Sequence, residues 1–371
     1  MERLLYNKEL QAIQKSNRFR TREVFDQSLI DLASNDYLGL ATKKSILEQS
    51  FNTLLNEKAH APRASMLVNG YSEIHKRFEN RLCEVNNFEK GIVVGSGFLA
   101  NISLIETLCR KGDVLFIDEQ YHASGILATK LLDKKQVVVF KHNDATNLQD
   151  RLNEHKNAKR KIIAIEGVYS MSGDVASKEL FDLANEYNCL LIVDEAHSSG
   201  VLGDNLLGVF DYYNITPTKN HIKMGTLGKA YGSYGAYILG SKEIISFLEN
   251  KALPIIYSTA PSIFDIALGL HALEYIIKNK ETLRLRIEEN LNVIKDILKI
   301  QSKSLIIPIN IGDNKRVKQI QKELKDKGYL VGAIRQPTVK SAIIRLIAKI
   351  DISKEELKAV CTIIKRLEKC D

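Results

Sequence analysis

Short runs of β-branched and other apolar residues recur through the middle of the chain, at 92–94, 114–117, 137–140, 162–165, 190–193 and 222–224. Each is brief, several are bounded by Gly or Asp, and each predicts a strand. Between them lie segments such as 180–187 with the apolar spacing of a helix. Strands alternating with helical crossovers indicate a mostly parallel sheet covered on both faces. The run 236–239 predicts a further strand, placed at a sheet edge.

Beyond about residue 260 the pattern changes. Segments 263–278 and 282–298 predict two long amphipathic helices. A strand at 305–309, a helix over 315–327, strands at 329–334 and 343–348, and a closing helix capped by Ser353 follow. The expected organisation is an α/β protein: an N-terminal segment (1–42), a large α/β domain (43–255) and a small C-terminal α+β domain (256–371). There is no internal repeat and no low-complexity linker.

Composition narrows the class. A chain of 371 residues, 44% apolar, is long enough for a large core and a smaller one. The net charge of +8 is spread along the whole chain, with no arginine-rich arm and no interleaved stacking aromatics. A solvated surface is therefore expected, with no nucleic-acid partner. No run approaches the ~20 apolar residues of a membrane span, and the charged start MERLLYNKELQ does not resemble a signal peptide. Cys83, Cys109, Cys189, Cys361 and Cys370 are scattered, and no pair has C-x-x-C spacing. Neither a metal site nor a disulfide framework is indicated, and a cytoplasmic location is expected.

Several polar residues fall just past the carboxyl ends of different expected strands, where an open parallel sheet builds its ligand crevice. Asp194 and His197 stand in VDEAH after LLI. A buried carboxylate there needs a partner, and a protonated ring nitrogen supplies one. The rival reading, a Walker-B-like DEAH box, needs an upstream G-x-x-x-x-G-K-[ST], which the chain lacks. The plain alternative is a structural carboxylate with a capping histidine. Lys229 lies in GTLGKAYGSYGA, where small neighbours admit a planar ligand and desolvation frees the amine for attack on an aldehyde. Thr226, three residues earlier, is placed to donate to a phosphate. The strand–turn–helix VVGSGFLAN offers free N–H groups near Gly97 as an anion site. Ser170 follows IIAIEGVY, and His122 follows a strand end, suited to stacking on a ring or merely structural.

Taken together, SNDYLGLA (34–41), NGYSEIH (69–75), GSGFLAN (95–101), YHAS (121–124), EGVYSMSGD (166–174), VDEAH (193–197), GTLGKAYGSYGA (225–236), YSTAP (257–261) and AIRQPTV (333–339) resemble the α-oxoamine synthase family of fold-type I pyridoxal-phosphate enzymes. The likeness spans nearly the whole chain. It implies pyridoxal 5'-phosphate as cofactor, Lys229 as the Schiff-base lysine and later proton carrier, and Asp194 as the partner of the ring nitrogen. It further implies His122 stacked on the ring, Ser170 and His197 at the phenolic oxygen, and the phosphate against Gly97, Phe98 and Thr226. Ser258 and Thr259 would arrive from the second subunit of a homodimer with a shared site. Asn35 and a C-terminal arginine would hold the amino-acid carboxylate. Thr338, with Arg18 or Arg20, would touch the acyl group. The implied reaction is condensation of an amino acid, L-alanine first, with an acyl thioester carried on coenzyme A or an acyl-carrier protein. Family members that use glycine or serine are the nearest alternatives. A protein keeping the fold only for binding would need neither nucleophile nor electron-sink partner.

Three departures fall around the substrate. The family's G-G-S-R-L stretch reads RASML here (63–67), Gln336 stands where a first proline is usual, and the loop after Thr338 is two residues short. Counting back from the closing helix makes Arg345 the carboxylate arginine, whereas counting forward from Pro337 reaches Ile347. A carboxylate needs a cation, so Arg345 is expected, with Arg335 as the second candidate.

Overall fold

The structure is a computed structural model that describes residues 5–16 and 18–368. Eleven strands occur among the described residues: β1 Ile30–Leu32, β2 Lys90–Val94, β3 Val114–Asp118, β4 Val137–Phe140, β5 Lys161–Glu166, β6 Leu190–Asp194, β7 His221–Thr226, β8 Ala236–Gly240, β9 Ile306–Gly312, β10 Tyr329–Ile334 and β11 Ala342–Ile347. Seven form one sheet in the order β2-β8-β7-β6-β5-β3-β4. Strands β7, β6, β5, β3 and β4 pair in parallel, and β8 is antiparallel to both its neighbours.

The sequence places β8 at an edge, but it lies inside the sheet, and β2 and β4 are the edges. Both flanks of β8 are hydrogen-bonded, to β2 over Ala236–Gly240 and to β7 over Ala236–Leu239, and all its residues are buried between the layers. Both faces of this sheet are covered, and the alternation of the strands separates two cores. Leu115, Ile117, Ile192 and Ile222 pack on one side beneath the Gly97–Leu108 helix. Phe116, Ile163, Leu191 and Val193 pack on the other, in a core that continues into the second sheet.

That second sheet has the order β1-β10-β11-β9. Strand β1, from near the N-terminus, pairs in parallel with β10, and this brings residues 33–37 to the junction between the sheets. Three residues are too few for a periodicity signal, so no local pattern announces this pairing.

The two helices expected over 263–278 and 282–298 are one continuous helix, Ile263–Leu298. The polar Lys278–Glu281 stretch looks like a break, but it only interrupts the buried stripe between Ile276 and Leu283. Asn279 and Lys280 there find Tyr275 C=O and Asn205 Oδ1. Farther along, Arg286 and Asn290 donate to the Ile350 and Lys349 carbonyls, tying the helix to the turn after β11. The closing helix, Lys354–Glu368, starts as expected: Glu356 N–H donates to Ser353 Oγ, and Ser353 N–H to the Glu356 carboxylate.

Candidate active site

The carboxyl ends of β2, β3, β5, β6 and β7 converge, and each delivers one or more of the singled-out residues: Gly97 and Phe98, His122, Ser170, Asp194 and His197, and Thr226 and Lys229. Lys229 is at the centre. Its Nζ lies 2.9 Å from His197 Nε2, whose Nδ1 meets Tyr37 Oη at 2.5 Å. Burial pulls the Lys229 ammonium down to about 8, against the opposing pull of Asp194 and Glu166. Burial also pushes His197 well below its ordinary range, with the Lys229 charge adding to the effect. The pair is therefore a desolvated amine beside a neutral imidazole. The glycines around Lys229 serve close approach: at Gly232, with φ of +58°, a Cβ would lie 2.4 Å from the Ala41 nitrogen.

Asp194, at the tip of β6, accepts from Asn101 Nδ2 at 2.9 Å and from Ala196 N–H at 3.0 Å, and forms no ion pair among the described residues. Asn101 is held in turn by the Tyr121 hydroxyl at 2.7 Å. Glu166, the register partner of Asp194 on β5, is fully buried and has only the Ser170 N–H on Oε2, while Oε1 has no partner. Burial, reinforced by the Asp194 charge, raises its carboxyl well above the usual range. His122 caps the Ala123–Ala128 helix and shares its Nδ1 with Ser124 Oγ at 2.7 Å. Burial lowers its pKa, leaving a neutral ring with one face toward the crevice cavity it lines.

Beside this group is a cradle for an anion. Ser96 caps the Gly97–Leu108 helix by accepting Leu99 N–H, and the N–H groups at the helix start have no intrahelical acceptor. Thr226 Oγ1 is buried without any partner at the same place. Gly97 is required there, since a Cβ would lie 2.6 Å from Thr226 Cγ2. An orphaned hydroxyl facing a bare helix terminus fits a phosphate. A carboxylate with only neutral hydrogen-bond donors, a desolvated amine and a neutral histidine fit an aldehyde-bearing pyridine ring.

Arg345, on β11, is buried, and its guanidinium has no carboxylate partner among the described residues. Nε donates to Ser170 C=O at 2.8 Å, and both terminal nitrogens reach Asn35 Oδ1 at 3.0 Å. Asp36 and Asp351, two protein carboxylates able to neutralise an arginine, are engaged elsewhere. Asp36 accepts from Leu40 N–H, and Asp351 pairs with Lys349 at 3.5 Å. The structure thus brings Asn35, Ser170 and Arg345 together.

The remaining expectations are dispersed. Thr338 and Arg18 line a cavity of about 1250 Å³ that runs from His122 and Ser170 outward, and Arg18, Arg20, Arg335 and Thr338 line a smaller one of about 120 Å³ beside it. Ser258 and Thr259 are on an outer loop after the Leu253–Ile256 helix, tied down where Ala260 N–H donates to Ala64 C=O. No hydrogen bond joins them to the cradle within the protomer among the described residues. Cys370 lies outside the described residues, and the other four cysteines are free thiols. No helix among the described residues is long and apolar enough to cross a membrane.

Tyr37, Asn101 and Glu166 were not singled out from the sequence, although all three stand inside motifs that were. Asn101 was within reach: four residues after Gly97, it shares that helix face.

A family model for class I and II aminotransferases matches residues 27–364. Two proteins from strains of Helicobacter pylori named 8-amino-7-oxononanoate synthase are 43% and 44% identical over 355 residues, covering 95% of this chain and 95% of each relative. Among solved structures, serine palmitoyltransferase from S. paucimobilis superposes with a TM-score of 0.89 at 22% identity, over 98% of both chains. The 8-amino-7-oxononanoate synthase of Francisella tularensis superposes with a TM-score of 0.77 at 26% identity, over 92% of this chain and 98% of that one.

Proposed function

The chain belongs to the class I and II aminotransferase family, and on that premise we propose that it is a pyridoxal-phosphate-dependent acyltransferase of the 8-amino-7-oxononanoate synthase type. It condenses L-alanine with a pimeloyl thioester, releasing carbon dioxide and the free thiol, a step of biotin biosynthesis. The observation that carries this reading is the desolvated Lys229 amine set among Asp194, His122 and His197 at the converging strand ends.

Pyridoxal phosphate, when bound, supplies an aldehyde for an amine and a ring that accepts electrons from the amino acid's Cα. Lys229 would hold it by Nζ, Asp194 by the ring nitrogen, and His122 by the ring face. Ser170 and His197 would contact its phenolic oxygen, and Thr226 Oγ1 with the Gly97 and Phe98 N–H groups its phosphate. The Arg345 fork and Asn35 bind the alanine carboxylate, a planar bidentate fit. Burial that lowers the Lys229 pKa to about 8 suits this amine to removing the alanine Cα proton near neutral pH. Alanine Cα bonds to the acyl carbon and the thiol leaves. The bond to the carboxylate then breaks as carbon dioxide, and Lys229 returns a proton to Cα. Tyr37 fixes His197, and Asn101 fixes Asp194, before substrate arrives.

The working unit is a cytoplasmic homodimer in which Ser258 and Thr259 of one subunit complete the phosphate site of the other. Exposed apolar side chains support this: Leu67, Val68 and Tyr257 flank the Ala64–Ala260 contact, and Leu47, Phe51 and Leu55 line one face of the Lys44–Leu55 helix.

The test is thiol release from a panel of acyl thioesters with a panel of amino acids. Pimeloyl thioester with L-alanine is expected to be the best pair. A faster reaction of glycine with an acetyl thioester would overturn the assignment.

A further inference from the structure

The 1250 Å³ cavity that opens at His122 and Ser170 has one continuous wall. His122 caps the Ala123–Ala128 helix, and a 3-10 turn, Thr129–Leu131, extends it. From this wall Ile126 and Leu127 face the cavity and stay 36% and 44% exposed despite their size, opposite Met171 and Ile343. Lys130 lines the same cavity farther along. The charges in the cavity are unbalanced. Its one carboxylate, Glu119, is paired with Lys340 at 3.5 Å, and no described residue pairs with Lys130. An apolar trough with an uncompensated ammonium past it suits a chain with apolar middle and anionic end.

We propose that Lys130 receives the distal carboxylate of the acyl chain and is the residue that selects ω-carboxyl acyl thioesters over ω-methyl or ω-ester ones. This rests on the acyl-transfer reading above and adds the part of the site that reads the far end of the substrate.

The spacing agrees. Six α-helical steps and two 3-10 steps put Lys130 about 13 Å along the axis from His122. A seven-carbon diacid chain has six carbon–carbon bonds of about 1.5 Å, which advance a zigzag by roughly 8 Å. The lysine stem leans back toward the helix N-terminus and spans the remaining distance of about 5 Å. A shorter diacid would strand its carboxylate among Ile126 and Leu127, where burial without a partner is costly. Arg18 lines this cavity too, and with Arg20 and Arg335 the small one beside Thr338; Lys130 is singled out because it continues the helical wall that carries Ile126 and Leu127.

The experiment compares kcat/KM with L-alanine for three thioesters of equal chain length: pimeloyl, its ω-methyl ester and heptanoyl. It uses the wild-type holoenzyme, Lys130→Gln and Lys130→Arg. One charge-assisted hydrogen bond corresponds to a preference of roughly ten- to hundredfold for the free acid. The wild type is expected to show it, Lys130→Gln to collapse it to within about threefold through KM, and Lys130→Arg to keep most of it. Thermal melting of each variant checks folding. A preference that survives Lys130→Gln, or a wild type that turns over all three thioesters equally, overturns the assignment of Lys130 alone. A wild type that releases thiol from none of them overturns the acyl-transfer reading and this one with it.

Discussion

Lys229 Nζ stands 2.9 Å from His197 Nε2, and burial disfavours the charged form of both groups. A neutral amine is what capture of an aldehyde requires, and the Lys229 environment favours it by lowering the pKa from 10.5 to about 8. Capture of pyridoxal phosphate by the apoprotein is expected to rise with pH around 8 and to level off above. Lys229→Ala should show no visible absorbance band of covalently held cofactor and no measurable thiol release. Near wild-type turnover in that variant would remove Lys229 from the chemistry.

Among the described residues Asp194 has two neutral donors and no ion-pair partner, so its carboxylate is available to a ligand. Asp194→Asn keeps the volume and removes that charge. The expected result is retained cofactor binding with exchange of the alanine α-proton for deuterium slowed by about a hundredfold or more, two or more multiples of 1.36 kcal/mol. Exchange at the wild-type rate would assign Asp194 a structural part only.

These two residues were legible because strand ends are. Runs such as LLIV and IKMG announce β6 and β7, and the first polar residues after them must lie in the crevice. Residues that act through another were not legible. Tyr37 reaches His197 across 160 positions of sequence because three residues of β1 join the second sheet, and the meeting of Asn35 with Arg345 across 310 is expected only through the family resemblance. No local pattern carries such a pairing. Glu166 was hidden for a different reason: within IIAIEGVY it reads as the polar end of a strand, and only its placement level with Asp194 shows a second buried carboxyl beside the first. The error over 263–298 came from reading a polar turn of helix as a gap, when the helix was only changing which part of the molecule it covers.

A shared phosphate site predicts that activity follows assembly. Sedimentation at assay concentration should find a dimer, and replacing Ser258 and Thr259 with Ala should weaken cofactor binding while leaving melting of the apoprotein nearly unaltered. An active monomer would defeat the shared site.

Arg345 separates two roles by substitution. Its fork is held by Asn35 and Ser170 but lacks a carboxylate, so a ligand carboxylate completes it. Arg345→Lys keeps the charge and loses the bidentate geometry. Binding of L-alanine, followed by the spectral change of the bound cofactor, should weaken by about 1.5–3 kcal/mol, roughly ten- to hundredfold. Superimposable titrations with a lower melting temperature would make Arg345 structural and turn attention to Arg335.

The last expectation concerns pH and a histidine outside the chemistry. His142 stands between two carboxylates, with Nδ1 3.0 Å from Asp118 Oδ1 and Nε2 3.0 Å from Asp174 Oδ2. Both nitrogens must donate, which only the imidazolium does. Burial pulls its pKa down, but the hydrogen bonds to Asp118 and Asp174 outweigh this and raise it to about 9. The charged ring therefore clamps the 169–174 turn, whose Tyr169 hydroxyl also donates to Asp118 at 2.8 Å and whose Ser170 carbonyl holds Arg345. A folded-state pKa above the unfolded value of 6.5 means that the stabilisation is complete below 6.5 and is lost as pH rises through about 9. At the acid end, burial raises the Asp174 pKa but the hydrogen bonds from His142 and Ser172 and the His142 charge together more than reverse it, so its share is present above the unfolded value of 3.8 and lost as pH falls below it. His142→Gln should thus lower the melting temperature by a few degrees at pH 6, on the order of 1–3 kcal/mol for the lost charge-assisted bonds. The gap between wild type and variant should shrink at pH 10, because the wild-type ring is then neutral and one nitrogen faces a carboxylate without a proton. A gap as wide at pH 10 as at pH 6 would mean that the ring never carried the charge.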